Sequence, residues 1–336
     1  MNRPEWRPKT PIKSCGPYVG AGDPKVKAEH WDEIGKDLYD AGYNQLYTFL
    51  ILNTPLRFLP LDDANNLDQK WVAHIDTMID RLAFWRIQPA FKFADQYHPN
   101  EKNDPFAALT VEQLYSSWDG KKYSWIQWDE LHPRQYTNFR PTSDLGRGIF
   151  AYVKAVVRSC KKALDTYPDF RVVVTWANET MALFEGNDTH PSKTRGDRDE
   201  ITFWLMKEFE NAGFVKNKNL LINVDYLAFR GDIRTVDYKI MAKVSKDLTK
   251  KGQHLEIHGI KTLDDIKRYL NAGVNWKSTL FSTDGDLKMQ ADYRDLGHSM
   301  YHVDLKLDTV PPNPFFRTDF MKFWRTYFPK YRAYVK

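Results

Sequence analysis

Apolar residues recur along this chain with two alternating periods. Dense apolar runs at 16–20, 45–52, 89–94, 170–179, 220–226, 254–258, 279–283 and 301–307 predict eight strands. The run at 170–179 holds Val172, Val173 and Val174 between Phe170 and Trp176, as a strand covered on both faces requires. Between the runs lie longer segments whose apolar residues return every three or four positions. These predict helices at 31–41, 68–85, 145–164, 198–212, 236–250, 262–272, 288–296 and 318–328. In 68–85, for example, Trp71, Ile75, Met78, Ile79 and Leu82 share one helix face. The punctuation agrees with the periods. Gly42, Gly213, Gly252 and Gly273 stand where four helices should stop, and Thr262 with Asp265 marks a helix start.

Eight strand–helix alternations predict an α/β fold of the (β/α)8 TIM-barrel type, one domain spanning 1–336. An open doubly wound sheet is the runner-up. It would need a Gly-rich phosphate loop after the first strand, and Val19-Gly-Ala-Gly-Asp23 has too few glycines at the wrong spacing. The rhythm breaks after the third strand, from 99 to 143. There Trp118, Tyr123, Trp125, Trp128, Tyr136 and Phe139 alternate with charges, Gly120, Pro133 and Pro141. So long a connection reads as an aromatic-rich loop insertion within the domain.

Composition narrows the function classes. A hydrophobic content of 42% can fill a large core, while eleven Trp and eighteen Tyr offer flat faces with polar handles for a ligand cleft. The net charge of +5 comes from interspersed Lys and Arg with no basic block, which does not point to nucleic acid. Cys15 and Cys160 make neither a disulfide framework nor a metal cluster. No apolar run is long enough to span a membrane, and the first residues lack an apolar signal region. A cytoplasmic or virion-packaged protein fits, as does one whose signal has been removed.

A parallel barrel places its chemistry where strands end. The strand exits carry Asp95, Glu179, Asp225, His258, Asp284, Asp286 and Asp308. Mutual repulsion and burial at one rim raise the pKa of at least one such acid, which keeps it protonated for acid catalysis. Thr175-Trp-Ala-Asn-Glu179 on the fourth strand resembles the Asn-Glu signature of the retaining glycoside hydrolase clan built on this barrel, which includes cellulase-like and mannanase-like enzymes. The resemblance implies that Glu179 is the general acid/base and that Asn178 contacts the sugar 2-hydroxyl. The clan's nucleophile is a Glu on strand seven, where this chain reads Phe281-Ser-Thr-Asp-Gly-Asp286. Asp284 is the nearest counterpart, as nucleophile or as base for water, with Asp286 in reserve.

Further expectations surround that pair. Trp176 lies beside the motif, Asp95 can bind a hydroxyl, and Tyr226 and His258 can orient the catalytic groups. Trp118, Trp125 and Trp128 can stack on pyranose faces or pack within the insertion. Glu256 is an unusual candidate nucleophile whose mid-strand position argues for a structural role. The expected partner is a carbohydrate, and the reaction needs no cofactor or metal. Two rivals share the barrel. Glu179, Asp225, His258 and Asp284 would suit a divalent metal in a sugar isomerase or epimerase, and the missing strand-seven Glu would suit a barrel that binds sugar without cleaving it.

Overall fold

The computed structural model describes residues 2–5, 15–16, 18–20, 28–49, 69–94, 144–177, 193–227, 238–260, 262–275, 279–283 and 300–303, with helical residues at 321, 324, 325, 328 and 329. At Trp176, Asp225, Tyr226 and His258 the backbone alone is described. The expected helix at 288–296 and the insertion at 99–143 lie outside these residues.

The strands are β1 Cys15–Gly16, β2 Tyr18–Gly20, β3 Gln45–Phe49, β4 Gln88–Ala94, β5 Val172–Ala177, β6 Leu220–Leu227, β7 His254–Ile260, β8 Thr279–Thr283 and β9 Met300–Val303. The helices are α1 Ala28–Asp40, α2 Gln69–Phe84, α3 Asp144–Thr166, α4 Lys193–Asn211, α5 Tyr238–Lys250 and α6 Leu263–Asn271. All nine strands belong to one sheet in the order β1-β9-β8-β7-β6-β5-β4-β3-β2, and every pairing is parallel. The first expected strand is thus two. Cys15–Gly16 pairs with β9 and Tyr18–Gly20 pairs with β3, so one short stretch of chain serves both ends of the strand order.

Junctions between helix and strand use one device repeatedly. After α1, α4, α5 and α6 a glycine takes positive φ, at 87°, 95°, 68° and 97° for Gly42, Gly213, Gly252 and Gly273. Paired reverse hydrogen bonds close each end, such as Gly42 N–H to Tyr39 O and Tyr43 N–H to Leu38 O. After α2 the same position is Arg86, at φ 61°, where a side chain costs roughly 1 kcal/mol. The start of α6 is a full capping box between Thr262 and Asp265, as expected. Helix α4 begins at Lys193, five residues earlier than its periodicity indicated, because Lys-Thr-Arg-Gly-Asp carries no apolar position for a period to register.

The strand period sorts the two faces of the sheet. Val224 of β6 with Leu255 and Ile257 of β7 joins Met241 and Leu248 of α5 and Ile266 and Tyr269 of α6 in one buried cluster. Phe170, Phe209 and Phe214 do the same work at the foot of β5, in edge-on pairs with centroids 6.2 and 5.4 Å apart.

The helical residues near the C-terminal end pack on α1. Trp324 is fully buried, its indole N–H donates to Asp37 Oδ2 at 2.9 Å, and its ring stacks on Phe328 with centroids 4.4 Å apart. Arg325 grips Glu33 with both arms, at 2.7 and 2.6 Å. The hydrogen bond from Arg325 holds the Glu33 carboxyl below its ordinary range.

Trp324→Ala is expected to cost about 3–5 kcal/mol in urea unfolding, through lost burial and the cavity left behind. The Glu33 contact has a pH signature as well. A carboxyl with a depressed folded pKa contributes fully above the ordinary glutamate range and loses that contribution as pH falls through the folded value. Trp324 docking, followed by tryptophan fluorescence, should therefore weaken on acidification below that range, and Glu33→Gln should remove that part of the pH dependence.

Candidate functional site

The parallel arrangement brings all the strand carboxyl ends to one edge of the sheet. Ala94 of β4 and Ala177 of β5 are register partners there. Asp95 and Asn178 are the next residues along their two chains, and Glu179 follows Asn178. On β8 the last described residue is Thr283, and Asp284 comes next. The side chains of Glu179, Asp284, Asn178, Asp95 and Asp286 lie outside the described residues, as do Trp118, Trp125 and Trp128. Trp176 is the fifth residue of β5.

Two expected rim positions sit deeper than the apolar runs indicated. Strand β6 continues to Leu227, which places Asp225 within it as the register partner of Glu256. Strand β7 continues to Ile260, so His258 is inside the strand rather than at its exit, paired with Leu227. A register irregularity against β8 falls between Ile257 and Ile260. Glycine at 259 and histidine at 258 do not read as strand by propensity; pairing with β6 extends the strand past them. Tyr226 is within β6, registered with Ile257.

Beneath the edge, the face away from the helices is polar. Leu255 and Ile257 face the helix layer, so the two-residue period turns Glu256 to the other side, where it is fully buried. Thr175 and Asn223 are register partners and both buried. The Thr175 hydroxyl has no hydrogen-bond partner among the described residues. Lower still, Gln88 Nε2 donates to Gln45 Oε1 at 2.8 Å across the registered pair β3–β4. Reading the apolar runs as strands hid this layer. Its signal was present: lone polar residues at alternate positions inside otherwise apolar runs.

A groove of about 580 Å³ lies elsewhere, on the outer surface of α1, α2 and α3, lined among others by Asp32, Asp76, Asp80 and Lys162. Its three aspartates already have partners. Asp76 accepts from Ser159 and from Lys162, Asp80 pairs with Arg81, and Asp32 accepts the Trp85 indole N–H at 2.7 Å. Such a groove is a seam between helices. Among the described residues no group of three His, Cys, Asp or Glu side chains is arranged for a metal, and no helix is long and apolar enough to cross a membrane.

Parallel strands alternating with helices, and a sheet edge where the strand ends gather, define an α/β protein with its candidate site at that edge. Among solved structures the chain is similar to the endo-1,4-beta-mannanase from Rhizomucor miehei, at 11% identity and a TM-score of 0.51 over 96% of this chain and 95% of that one. It also matches a beta-1,4-mannanase from the sea hare Aplysia kurodai, at 11% identity, TM-score 0.48, over 88% and 90% of the two chains. A D-allulose 3-epimerase from Methylomonas sp. matches at 9% identity, TM-score 0.39, over 90% and 85%. At 11% identity the first of these speaks to the fold and not to the reaction. No protein-family model matches the chain, and no curated protein sequence matches it.

Glu256 provides the test of this layer. As a structural residue, Glu256→Gln should cost about 1–3 kcal/mol in urea unfolding, because a buried hydrogen-bonding group is altered in place. Any catalytic turnover should stay within about tenfold. Loss of activity by three or more orders of magnitude at unchanged stability would make it a reacting group instead.

Proposed function

We propose that the sheet closes into a (β/α)8 barrel and that the chain is a glycoside hydrolase of the cellulase-like and mannanase-like clan. Three observations support closure. The ends of the strand order, β1 and β2, are one residue apart in the chain. Strand β2 also contacts β9, and β1 contacts β3. The helical residues around Trp324 pack on α1, which is where the last helix of a barrel meets the first. Counting β1 with β2 as one rung, β5 is the fourth and β8 the seventh.

The observation that carries the functional reading is where β5 ends. Its registered alanine, Ala177, lies at the carboxyl edge, and Asn178 and Glu179 are the next two residues of the chain. In this reading Glu179 protonates the departing glycosidic oxygen. Asn178 holds the 2-hydroxyl beside it. Asp284, one residue past the end of β8, approaches the anomeric carbon from the opposite side of the mouth, with Asp286 as the alternative.

Aspartate in place of glutamate withdraws the second carboxylate by about 1.5 Å, one methylene. Carboxyl separations of about 5–5.5 Å go with retention and about 6.5–9.5 Å with inversion. The difference between the two classes is of that size. Asp284 therefore acts either as nucleophile or as the base that activates water, and product configuration distinguishes the two. The likeness in fold to a mannanase makes an oligo- or polysaccharide the class of substrate to try first.

Glu179→Gln is expected to slow hydrolysis of substrates with poor leaving groups by about 10²–10⁴-fold and to spare bond breaking with an activated phenol. Asp284→Asn should damage both substrates, and azide should partly restore it. Full activity in both variants would remove the assignment. If no glycoside is cleaved across a broad panel, a binding barrel replaces it, and activity lost to a chelator supports the metal-dependent isomerase.

The aromatic insertion makes a separate prediction. Trp118→Ala, Trp125→Ala or Trp128→Ala should raise KM for an oligosaccharide at nearly unchanged Tm where the ring stacks on sugar. A large Tm loss at unchanged KM would assign that ring to packing.

A further inference from the structure

The amino ends of the strands, opposite the candidate site, carry a cluster that the functional reading does not use. Arg3 donates to Asp169 Oδ1 at 2.6 Å and to the Ala83 carbonyl at 2.8 Å, and its guanidinium lies 4.3 Å from the centre of the Tyr167 ring. Arg86 Nε donates to the Pro4 carbonyl at 2.6 Å, while its Nη1 pairs with Asp169 Oδ2. Both oxygens of Asp169 are thus occupied by two guanidinium groups, one from residues 2–5 and one from the turn before β4. Tyr167 reaches Asp80 of α2 at 3.4 Å. The cluster ties residues 3 and 4 to the α2–β4 and α3–β5 turns at once.

Arg86 takes the left-handed conformation that four other junctions give to glycine. Glycine at 86 would remove the strain and also the guanidinium that holds Pro4 and Asp169. The strain is compensated by those contacts.

Ten residues after Glu5 the chain enters β1. Strands β1 and β2 contribute two and three residues to their pairings, with Pro17 between them, and pairings so short supply few ladder bonds. Ten residues span at most roughly 35 Å when extended. A chain fixed at residues 3 and 4 is held within that distance, and its effective concentration for the slot between β9 and β3 rises accordingly.

We propose that residues 2–5 are a strap, fixed by the Arg3–Asp169–Arg86 clamp, that keeps β1 and β2 seated between β9 and β3. The strap is a conformational device: it acts from the amino side on the seam where the two ends of the strand order meet. It is independent of which reaction the opposite edge performs.

Hydrogen exchange on the full chain tests it. Arg3→Ala, Asp169→Asn and Arg86→Gly should each speed amide exchange at 15–20 and 300–303 by at least about tenfold. Amides of β5, β6 and β7 should keep their rates. Arg86→Gly is the most telling of the three, since it relieves backbone strain while breaking the clamp. Arg3→Lys keeps the charge without the fork and serves if the others fold poorly, with a smaller rise expected at the same amides. A rise spread evenly over all strands would overturn the proposal in favour of general stabilisation. Unchanged exchange at 15–20 in every variant would overturn it outright.

Discussion

A parallel strand covered on both faces must satisfy two environments at once, and its two-residue period is the means by which it does so. In β7 that period gives Leu255 and Ile257 to the helix layer and Glu256 to the other side. Register then extends the choice sideways. Asn223 pairs with Thr175 on one side and His254 on the other, and Asp225 pairs with Glu256. Slipping β6 by one residue would exchange every one of these for a neighbour of the wrong character. A polar layer on the face away from the helices is therefore a consequence of register, and in the proposed barrel it forms the floor beneath the site.

Holding register requires strands to start at fixed places, and the helix ends do this. Five of the described helix ends, from Gly42 to Gly273, are tied by paired reverse hydrogen bonds. The exception at Arg86 is informative because a better residue for the backbone is available to the fold and used four times over. What arginine adds at that position is contact with Pro4 and Asp169. Local propensity and long-range attachment conflict there, and attachment prevails.

The fold was legible in the sequence wherever the two periods were undiluted. Three valines in β5, the helix stripe of α2 and the stop glycines each report a local physical need, so they can be read without neighbours. Strand lengths were less legible. Asp225 and His258 looked like strand exits because they stand at or beside the last residue of their apolar runs. Pairing with adjacent strands carries β6 to Leu227 and β7 to Ile260, and pairing is not a local property. The splitting of the first strand between two partners was invisible for the same reason. The proposed catalytic pair was read from a motif and a strand end. Residue type and chain position suffice for that, whereas the distance between two carboxyl groups depends on the whole barrel.

Depth within a strand separates the roles of the carboxylates. Glu256 is three residues into β7, with paired strands on both sides, so its backbone cannot adjust and its surroundings exclude water. An acid there is held by its neighbours and contributes to packing and register. Glu179 and Asp284 stand one or two residues past the last paired position of their strands. A residue just past a strand end is in general still oriented by the sheet, while its side chain is free of the ladder. General acid catalysis needs both conditions: a fixed approach to the leaving oxygen and enough exclusion of water to keep a carboxyl protonated. In the proposed barrel the polar floor supplies the fixed approach. The aromatic insertion, which follows β4 in the chain, is proposed to supply the exclusion.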